Sequence, residues 1–460
     1  MIPRTLWAGA VLALCASTAS ATDLLQVWDA AQKHDPQGTI SQASRAAGST
    51  RLDQAHALWR PTVGLSASAG WAGAQSQMNG AQFSMPGAGQ LSGPFNGASF
   101  GTSVNGGSAT RWSLSARQAL YNPERRAQSA QLDIAAQASE HEWTLAQQDW
   151  MLQTTQRYFD VVLAEQRLAL IARQQQAVDK ALTEAKDRFA MGDAPVTDTH
   201  EATARAQALS AQAIAANNDL AMARQVLADV TGLSADALKL QAPGRQGLPL
   251  EQGDLRTWLQ KAEHSSPMLG LQQAQADAAQ QEVRKHSAMA SPTLDMVAQA
   301  SRDRISGTGD FGVASNTQSQ QMVGLMLNVP LYTGGWRSAK LQEATHLKDK
   351  AQAELARARM QVSQMTRATW LAVQSGQARI AALQAADTAS QARLDATALG
   401  RQVGDRTTMD LLNAQNDASA AQLSLLQARI EVLVGQLRLH AMAGQLDSQK
   451  LQEVNAALHP

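Results

Sequence analysis

Residues 403–412 read VGDRTTMDLL, and this stretch can end one helix and start the next. Gly404 can adopt the left-handed conformation that closes a helix, and Thr407 and Asp410 have the spacing of a capping box. A related stretch, Met191-Gly192-Asp193 followed by Asp198, lies in the first half of the chain. Both stretches predict a tight turn inside a helical hairpin.

The two turns belong to an internal repeat. Pro36 to Pro61 spans 25 residues, as does Pro267 to Pro292, and Gly192 to Gly232 spans 40 residues, as does Gly404 to Gly444. Proline and glycine punctuate structure, so shared spacings favour two structural repeats. We predict repeats at 22–232 and 258–444, a linker or equatorial segment at 233–257 and a C-terminal tail at 445–460.

Each repeat is predicted as a helix, a strand, a loop, a strand and a helical hairpin. The first short helix covers about 36–60, and the hairpins cover about 122–231 and 334–443. A first arm of about 70 residues is about 100 Å long. Small or apolar residues recur about every 3.6 residues in the second long arm, which is typical of coiled-coil packing: Ala351, Leu355, Ala358, Val362, Met365, Thr369, Val373, Gly376, Ile380 and Leu383.

Four segments alternate apolar with small or polar residues, at about 62–71, 111–120, 293–301 and 321–331. About ten residues suffice for a tilted transmembrane strand, although half-buried strands of a soluble protein show the same pattern. The connections, 72–110 and 302–320, are predicted as loops. The first contains nine glycines, six serines and no charge, which is typical of a flexible extracellular loop.

The net charge and the N-terminal segment of the sequence limit the functions that the protein can have. The 39 basic and 39 acidic residues cancel, which argues against a nucleic-acid partner. Residues 1–21 resemble a secretory signal peptide and contain Cys15, the only cysteine of the sequence. No later stretch reaches 18 apolar residues, so a membrane crossing would require strands. Four strands cannot close a barrel; two copies give eight strands and three copies give twelve.

The architecture, the string PLYTGG at 330–335 and the string at 403–412 resemble the TolC family of outer-membrane efflux and type I secretion proteins. The resemblance implies a mainly α fold in which a homotrimer shares a 12-stranded transmembrane β-barrel in outer-membrane lipid. Long α-helical coiled-coil hairpins form an α-barrel in the periplasm of a Gram-negative bacterium. The implied partners are a periplasmic adaptor and, through it, an inner-membrane transporter of the ABC, RND or a similar class.

The resemblance also assigns roles to residues. Asp405, Arg406, Asp410 and Asn413 are expected at the periplasmic gate. Arg406 is expected to hold the tip closed and Asp410 to form an acidic ring, while Asn413 replaces a second family aspartate. The turns at Gly192, Asp193 and Gly404 are expected to contact the adaptor. Aromatic residues at the membrane interfaces are expected at Trp71, Trp112, Tyr332 and Trp336.

The sequence offers little support for an enzyme. Gly97-Ala98-Ser99-Phe100-Gly101 matches the nucleophile-elbow pattern, but it lies in the glycine-rich loop and not between a strand and a helix. The histidines are scattered, and no phosphate-binding loop has the required spacing. We predict no catalytic residues, no metal site and no cofactor.

The predicted function is therefore a passive exit duct of a tripartite efflux pump or a type I protein secretion system, gated at its helical tip. A periplasmic coiled-coil adaptor is the alternative, and it predicts one helical hairpin with a soluble β-domain. A secreted hydrolase using Ser99 is a third possibility. The sequence leaves open whether the cargo is a drug, a metal ion or a protein toxin.

Overall fold

The computed structural model describes residues 23–79, 99–193, 195–235, 240–243, 253–309 and 312–458. The predicted signal peptide, most of the linker at 233–257 and the centre of the predicted extracellular loop lie outside the described residues. Within the described part of the chain, no helix combines the length and the apolar character needed to cross a membrane.

The same order of elements occurs twice along the chain. In the first repeat it is α1 (Leu24–His34), α2 (Pro36–Ala57), β1 (Thr62–Asn79), β2 (Ser99–Tyr121), α3 (Pro123–Ala190) and α4 (Val196–Thr231). In the second it is α5 (Leu255–Ser265), α6 (Pro267–Ala288), β3 (Thr293–Gly309), β4 (Gly312–Asn328), α7 (Trp336–Gln402) and α8 (Thr408–Met442), with α9 (Ser448–Leu458) after it. The long helices have 68 and 67 residues. The prediction of a mainly helical, two-repeat fold with four strands is confirmed.

Two helices precede the first strand of each repeat, where one was predicted. The helical conformation is interrupted at Asp35 and Ser266, which have extended backbones with ψ values of 121° and 120°. Each residue lies directly before a proline, Pro36 or Pro267. A proline ring disfavours the helical conformation of the residue before it, so each proline ends one helix and starts another.

The strands are longer than predicted. Residues 72–79 continue β1 and 99–110 belong to β2, while almost all of the predicted loop at 302–320 belongs to β3 and β4. Glycine, serine and charged residues are common in loops, and on that basis the sequence predicts loops here. The ladder is formed by backbone groups, and these pair across Gly/Ser-rich strands as well as across apolar ones.

The strands form one antiparallel sheet in the order β1-β2-β3-β4. Its register aligns Val63 with Ala116, Ala116 with Ala298, and Ala298 with Val323, so these four residues share one face. Among the described residues, β1 and β4 each pair on one side only, so the sheet has two open edges.

The chain divides into two units, one of residues 47–138 and 272–354, the other of 1–46, 139–271 and 355–460. The first unit contains the sheet. The second contains the largest apolar cluster, which joins α1, α3, α4, α8 and α9. In this cluster the rings of Trp28 and Trp150 pack edge to face with their centroids 4.8 Å apart. The rings of Tyr158 and Phe159 pack in the same way with their centroids 5.2 Å apart. Burial of these rings and their aliphatic neighbours stabilises the helical unit.

The apolar stripe of α7 is real but differs at one position. Leu355, Ala358, Val362 and Val373 are buried, whereas Met365 is exposed and Thr366 takes its place in the interior. Helices α7 and α8 pack against each other through a glycine and a valine on each helix. A Cβ on Gly376 would lie 2.4 Å from Val432 Cγ2, and one on Gly435 would lie 2.9 Å from Val373 Cγ2. Each glycine therefore accepts a valine from the facing helix.

Parts of the linker and tail are anchored on the helical unit. The Tyr158 hydroxyl donates to the Gln241 carbonyl at 3.1 Å and accepts from the Gln241 N–H at 2.9 Å. Burial raises the pKa of Tyr158 to about 12, so this hydroxyl stays protonated. In the tail, Asn455 Oδ1 accepts from the Leu24 N–H at 3.0 Å and Asn455 Nδ2 donates to Asp23 at 3.1 Å.

Candidate functional site

Both hairpin turns end their long helix with the same hydrogen-bond pattern. Gly404 has φ +84°, its N–H donates to the Arg401 carbonyl, and the Asp405 N–H donates to the Gly400 carbonyl at 2.8 Å. Gly192 has φ +80° and is flanked by the equivalent two bonds. This is the Schellman motif, in which a left-handed glycine lets the chain satisfy the last helical carbonyls and reverse.

The capping box predicted at the start of α8 is confirmed. Thr407 Oγ1 accepts from the Asp410 N–H at 3.0 Å, and Asp410 Oδ2 accepts from the Thr407 N–H at 3.0 Å. The Thr407 hydroxyl also donates to Asp410 Oδ2, at 2.9 Å. Asp410 Oδ2 thus takes part in the local cap, which leaves Oδ1 as the carboxylate oxygen available for other contacts.

These bonds hold the pKa of Asp410 below its ordinary value. The hydrogen bond from the Thr407 backbone is the largest cause, followed by the bond from the Thr407 hydroxyl and by the nearby positive charges of Arg406 and Arg393. All of these favour the ionised form. Asp410 is therefore a carboxylate near neutral pH, as an acidic ring requires.

Asp405 and Arg406 lie in the turn and are exposed. A Cβ on Gly400 would lie 2.8 Å from Arg406 Cγ, so the arginine stem packs over that glycine. Within the part of the chain that the structure describes, the Arg406 guanidinium forms no ion pair. Its charge is available to a group outside this chain.

Asn413 has a partner that the sequence did not reveal. Arg205 Nη2, on α4, donates to Asn413 Oδ1 at 2.8 Å. The two residues are 208 positions apart, and no local pattern links them. The neutral amide of Asn413 thus forms a contact between α8 and α4 without contributing a negative charge.

Other contacts tie the helices together near the turns. An ion pair joins Arg401 on α7 to Glu184 on α3, and the Thr199 hydroxyl on α4 donates to the Ala185 carbonyl at 3.4 Å. An apolar cluster connects α3, α4 and α8: Val178, Ala181, Leu209 and Leu412. Leu412 belongs to the string at 403–412, so this string anchors the helix as well as forming the turn.

The turn of the first repeat differs in its capping. Asp193 is exposed, and α4 begins after Pro195, which stands at the N-cap position without a side-chain hydrogen bond. The contrast with Thr407 is that proline restricts φ but offers no acceptor for the free N–H groups of the helix.

The two faces of the sheet differ in chemistry. Most of the large exposed apolar side chains of the sheet lie on one face, and Met322 and Met326 lie on the other. The first face carries six exposed aliphatic side chains: Val63, Leu65, Leu114, Val323, Leu325 and Leu327. On the other face Ser66 and Ser113 hydroxyls meet at 2.8 Å, Arg111 pairs with Asp303 at 2.6 Å and Arg117 pairs with Asp295 at 2.5 Å. Asp295 is only 1% exposed, and its Oδ1 has no hydrogen-bond partner among the described residues.

The predicted interface aromatics are exposed and lie at two levels of the sheet. Trp71 and Trp112 lie in β1 and β2, nine residues from the ends of these strands that connect to α2 and α3. Tyr332 and Trp336 lie just after β4, at the helical end of the sheet. Trp71 and Tyr332 each expose 86% of their surface, so their rings are accessible to lipid or to another protein chain.

The described residues form no catalytic or metal site around the sequence motifs. Gly97 and Ala98 lie outside them, and Ser99 begins β2, which continues as a strand and does not lead into a helix as a nucleophile elbow requires. No group of three or more possible metal ligands occurs in the described part of the chain.

Comparisons with known proteins show which proteins this chain resembles. Residues 258–445 match the family described as outer membrane efflux protein. The chain is 26% identical to the outer membrane protein TolC of Escherichia coli K12, over 96% of this chain and 86% of that protein. It is 27% identical to the proteases secretion protein PrtF of Dickeya chrysanthemi, over 67% of each chain.

Among solved structures, the outer membrane protein VceC of Vibrio cholerae matches with a TM-score of 0.71 at 18% identity, over 92% of this chain and 97% of that one. The likeness at this identity concerns the fold. The relatives are outer-membrane channel proteins and not enzymes. Together the family match, the relatives and the fold support the assignment of this chain to the TolC-family outer-membrane efflux channels, with an outer-membrane location and a periplasmic extension.

Proposed function

We propose that three copies of this chain form the passive exit duct of a tripartite efflux pump or a type I secretion system. The observation that carries the proposal is the four-stranded sheet, apolar on one face and open at both edges, joined to helical hairpins whose long arms have 68 and 67 residues. Open edges are not tolerated in lipid, so β4 of one copy would pair with β1 of the next. Three copies give a closed barrel of twelve strands, wide enough for water.

Exposed apolar residues on the helices support an assembly of several copies. Ile214 and Met222 on α4, and Met360 and Leu371 on α7, lie uncovered in the single chain. Apolar side chains on helices gain from burial, and a ring of packed hairpins would supply it. The alternative of an adaptor predicts one hairpin, whereas this chain has two of nearly equal length.

The turns are proposed as the gate. Arg406, exposed and without an ion pair among the described residues, would pair with a carboxylate of a neighbouring copy and hold the tip closed. Asp410 would present Oδ1 toward the axis and attract cations, with Oδ2 retained by Thr407. Asn413 makes this acidic ring weaker than the family's pair of aspartates. Gly192, Asp193 and Gly404 would contact a periplasmic adaptor, through which an inner-membrane transporter supplies the energy.

The names of TolC and PrtF link these relatives to the outer membrane and to protease secretion. For this chain we propose the shared role of carrying cargo across the outer membrane, with drugs, metal ions and proteins as the candidate classes.

The test is single-channel conductance in planar bilayers together with the oligomeric mass in detergent. A trimer with a small, cation-favouring conductance is the expected result. A monomer that remains soluble without detergent and never conducts would contradict the duct. A conducting dimer would contradict only the twelve-stranded arrangement.

A further inference from the structure

The four arginines of the described strands divide equally between the two faces of the sheet. On the polar face, Arg111 and Arg117 pair with Asp303 and Asp295. These are the only two carboxylates within β1, β2, β3 and β4 as the structure describes them. The charges of the polar face are therefore balanced within one chain.

Arg302 and Arg304 lie on the opposite face, the one that carries most of the large exposed apolar side chains of the sheet. Both are exposed, and no described residue forms an ion pair with either guanidinium. The strand register surrounds them with an indole and hydroxyl groups: Trp112 and Ser319 beside Arg302, and Thr110 and Thr317 beside Arg304. This face holds two positive charges beside one indole and three hydroxyl groups, with no carboxylate from the described strands.

The position of Arg302 and Arg304 along β3 places them at one boundary of the apolar, lipid-facing band that a transmembrane strand would have. Thr293 begins β3 at the helical end of the sheet, and eleven residues to Arg304 correspond to about 36 Å along the strand. A strand tilted by about 45° rises about 26 Å over that distance, close to the apolar band of about 25 Å in outer-membrane strands. Arg302 and Arg304 then lie at the far boundary of the band, on the side away from α3 and α7.

Two guanidinium groups in this position match phosphate. Their Cα atoms are about 7 Å apart on one face, so both can reach one phosphate or two neighbouring ones. Arginine binds phosphate with two parallel N–H bonds, and an indole beside it suits the headgroup level. An unpaired charge facing lipid would otherwise be costly.

We propose that Arg302 and Arg304, with Trp112 beside them, form a binding site for the phosphate groups of phosphorylated lipids in the outer leaflet of the outer membrane. The inference rests on the proposed placement of the sheet in that membrane. The trimer would carry three such sites around its circumference, each contributing two positive charges.

The test measures lipid binding to the purified full-length protein by native mass spectrometry in detergent. The probes are lipid A with two phosphates and the same lipid A after dephosphorylation. The wild-type protein is expected to bind the phosphorylated probe, and R302Q/R304Q to bind it about tenfold more weakly. R302K/R304K is a second variant, which keeps both charges but loses the bidentate geometry. Its affinity for the phosphorylated probe should lie between those of the wild-type protein and R302Q/R304Q.

The matched control compares the single changes R304Q and R111Q. Both remove one positive charge, but Arg111 lies on the polar face and pairs with Asp303. Only R304Q is expected to weaken lipid binding. An equal loss in R111Q, unchanged binding in R302Q/R304Q, or equal binding of dephosphorylated lipid A would overturn the site. Displacement of the lipid by millimolar inorganic phosphate would assign the arginines to a free anion and overturn the lipid assignment.

Conductance of the same preparations in neutral-lipid bilayers separates this inference from the proposed duct. A conducting wild-type protein without preference for the phosphorylated lipid overturns the lipid site and leaves the duct intact. A protein that neither conducts nor assembles overturns the duct, and with it the membrane placement on which the site rests.

Discussion

At the scale of single residues, the turn at 403–412 separates two tasks. Thr407 and Asp410 satisfy the free N–H groups of a helix start through hydrogen bonds within the same turn. The Arg406 side chain takes no part in the hydrogen bonds of this cap, because it packs over Gly400 and is exposed, although its charge helps to lower the pKa of Asp410. Local capping thus accounts for the threonine and the aspartate, while the arginine is free for a contact with another chain.

The cap should open at low pH in the wild-type protein. The pKa of Asp410 is depressed in the folded chain, so its stabilisation is present above the unfolded carboxyl value of about 4 and is lost as the pH falls through the folded value. Hydrogen-exchange protection of residues 407–412 should fall in that acidic range. Asp410→Asn should show weak protection at every pH, and a D410N profile identical to wild type would contradict the role of the carboxylate.

Arg406→Ala should raise single-channel conductance and lengthen open times, because the change would remove the tether that we propose at the closed tip. Arg406→Lys keeps the charge and should restore most of the closure. Arg188→Ala removes the same charge from the exposed end of α3 in the other repeat and serves as the control. If R406A conducts like wild type, Arg406 is only a residue of the turn.

At the scale of elements, pairing between strands determines how charge is tolerated in the sheet. Arg117 and Asp303 keep exposed fractions of 52% and 33%, but Asp295 is almost completely enclosed between its neighbours. A buried carboxylate requires its partner, because the loss of that partner leaves an uncompensated charge away from water. The Arg117–Asp295 ion pair should therefore contribute more to the stability of the sheet than the Arg111–Asp303 ion pair.

Arg117→Gln should lower the free energy of unfolding of the sheet by about 2–4 kcal/mol, measured by heat or urea denaturation in detergent. Arg111→Gln should cost less than about 1 kcal/mol, because its pair is solvated. The double variant R117Q/D295N should recover most of the loss, since no buried charge remains. Equal losses for R117Q and R111Q would show that the burial of Asp295 is unimportant.

At the scale of the whole molecule, the open edges of the sheet and the uncovered apolar helix residues favour association of identical chains. The predicted mature chain contains no cysteine, so introduced cysteines can report on that association without background. The strand order leaves β1 and β4 as the two edges available for pairing between copies.

A cysteine at Val63 combined with a second one at 321, 323, 325 or 327 should give disulfide-linked trimers for one register of β4 against β1. A disulfide requires Cα atoms about 4.4–6.8 Å apart, so neighbouring positions should fail. Cysteines at Ala116 and Ala298, which face each other within one chain, are the control and should give no intermolecular product. Linked dimers alone, or no linkage at any position, would contradict the shared sheet.

The sequence by itself determined the features that depend on neighbouring residues. The glycine turns, the Thr407–Asp410 cap, the long helices, the two repeats and the alternation of the strands follow from local spacing, because helix ends and side-chain faces are set within a few residues. The resemblance to a family adds the gate roles that we propose for Arg406 and Asp410.

Only the tertiary structure decided the features that join distant parts of the chain. The contact of Arg205 with Asn413, the burial of Asp295 against Arg117 and the place of Thr366 in the interior have no local signal. The full length of the strands was also missed, because glycine and serine are read as loop residues until a partner strand supplies the ladder. Cross-strand register likewise placed Arg302 and Arg304 on the apolar face, since pairing between strands, and not the order of residues, decides which charges are neutralised.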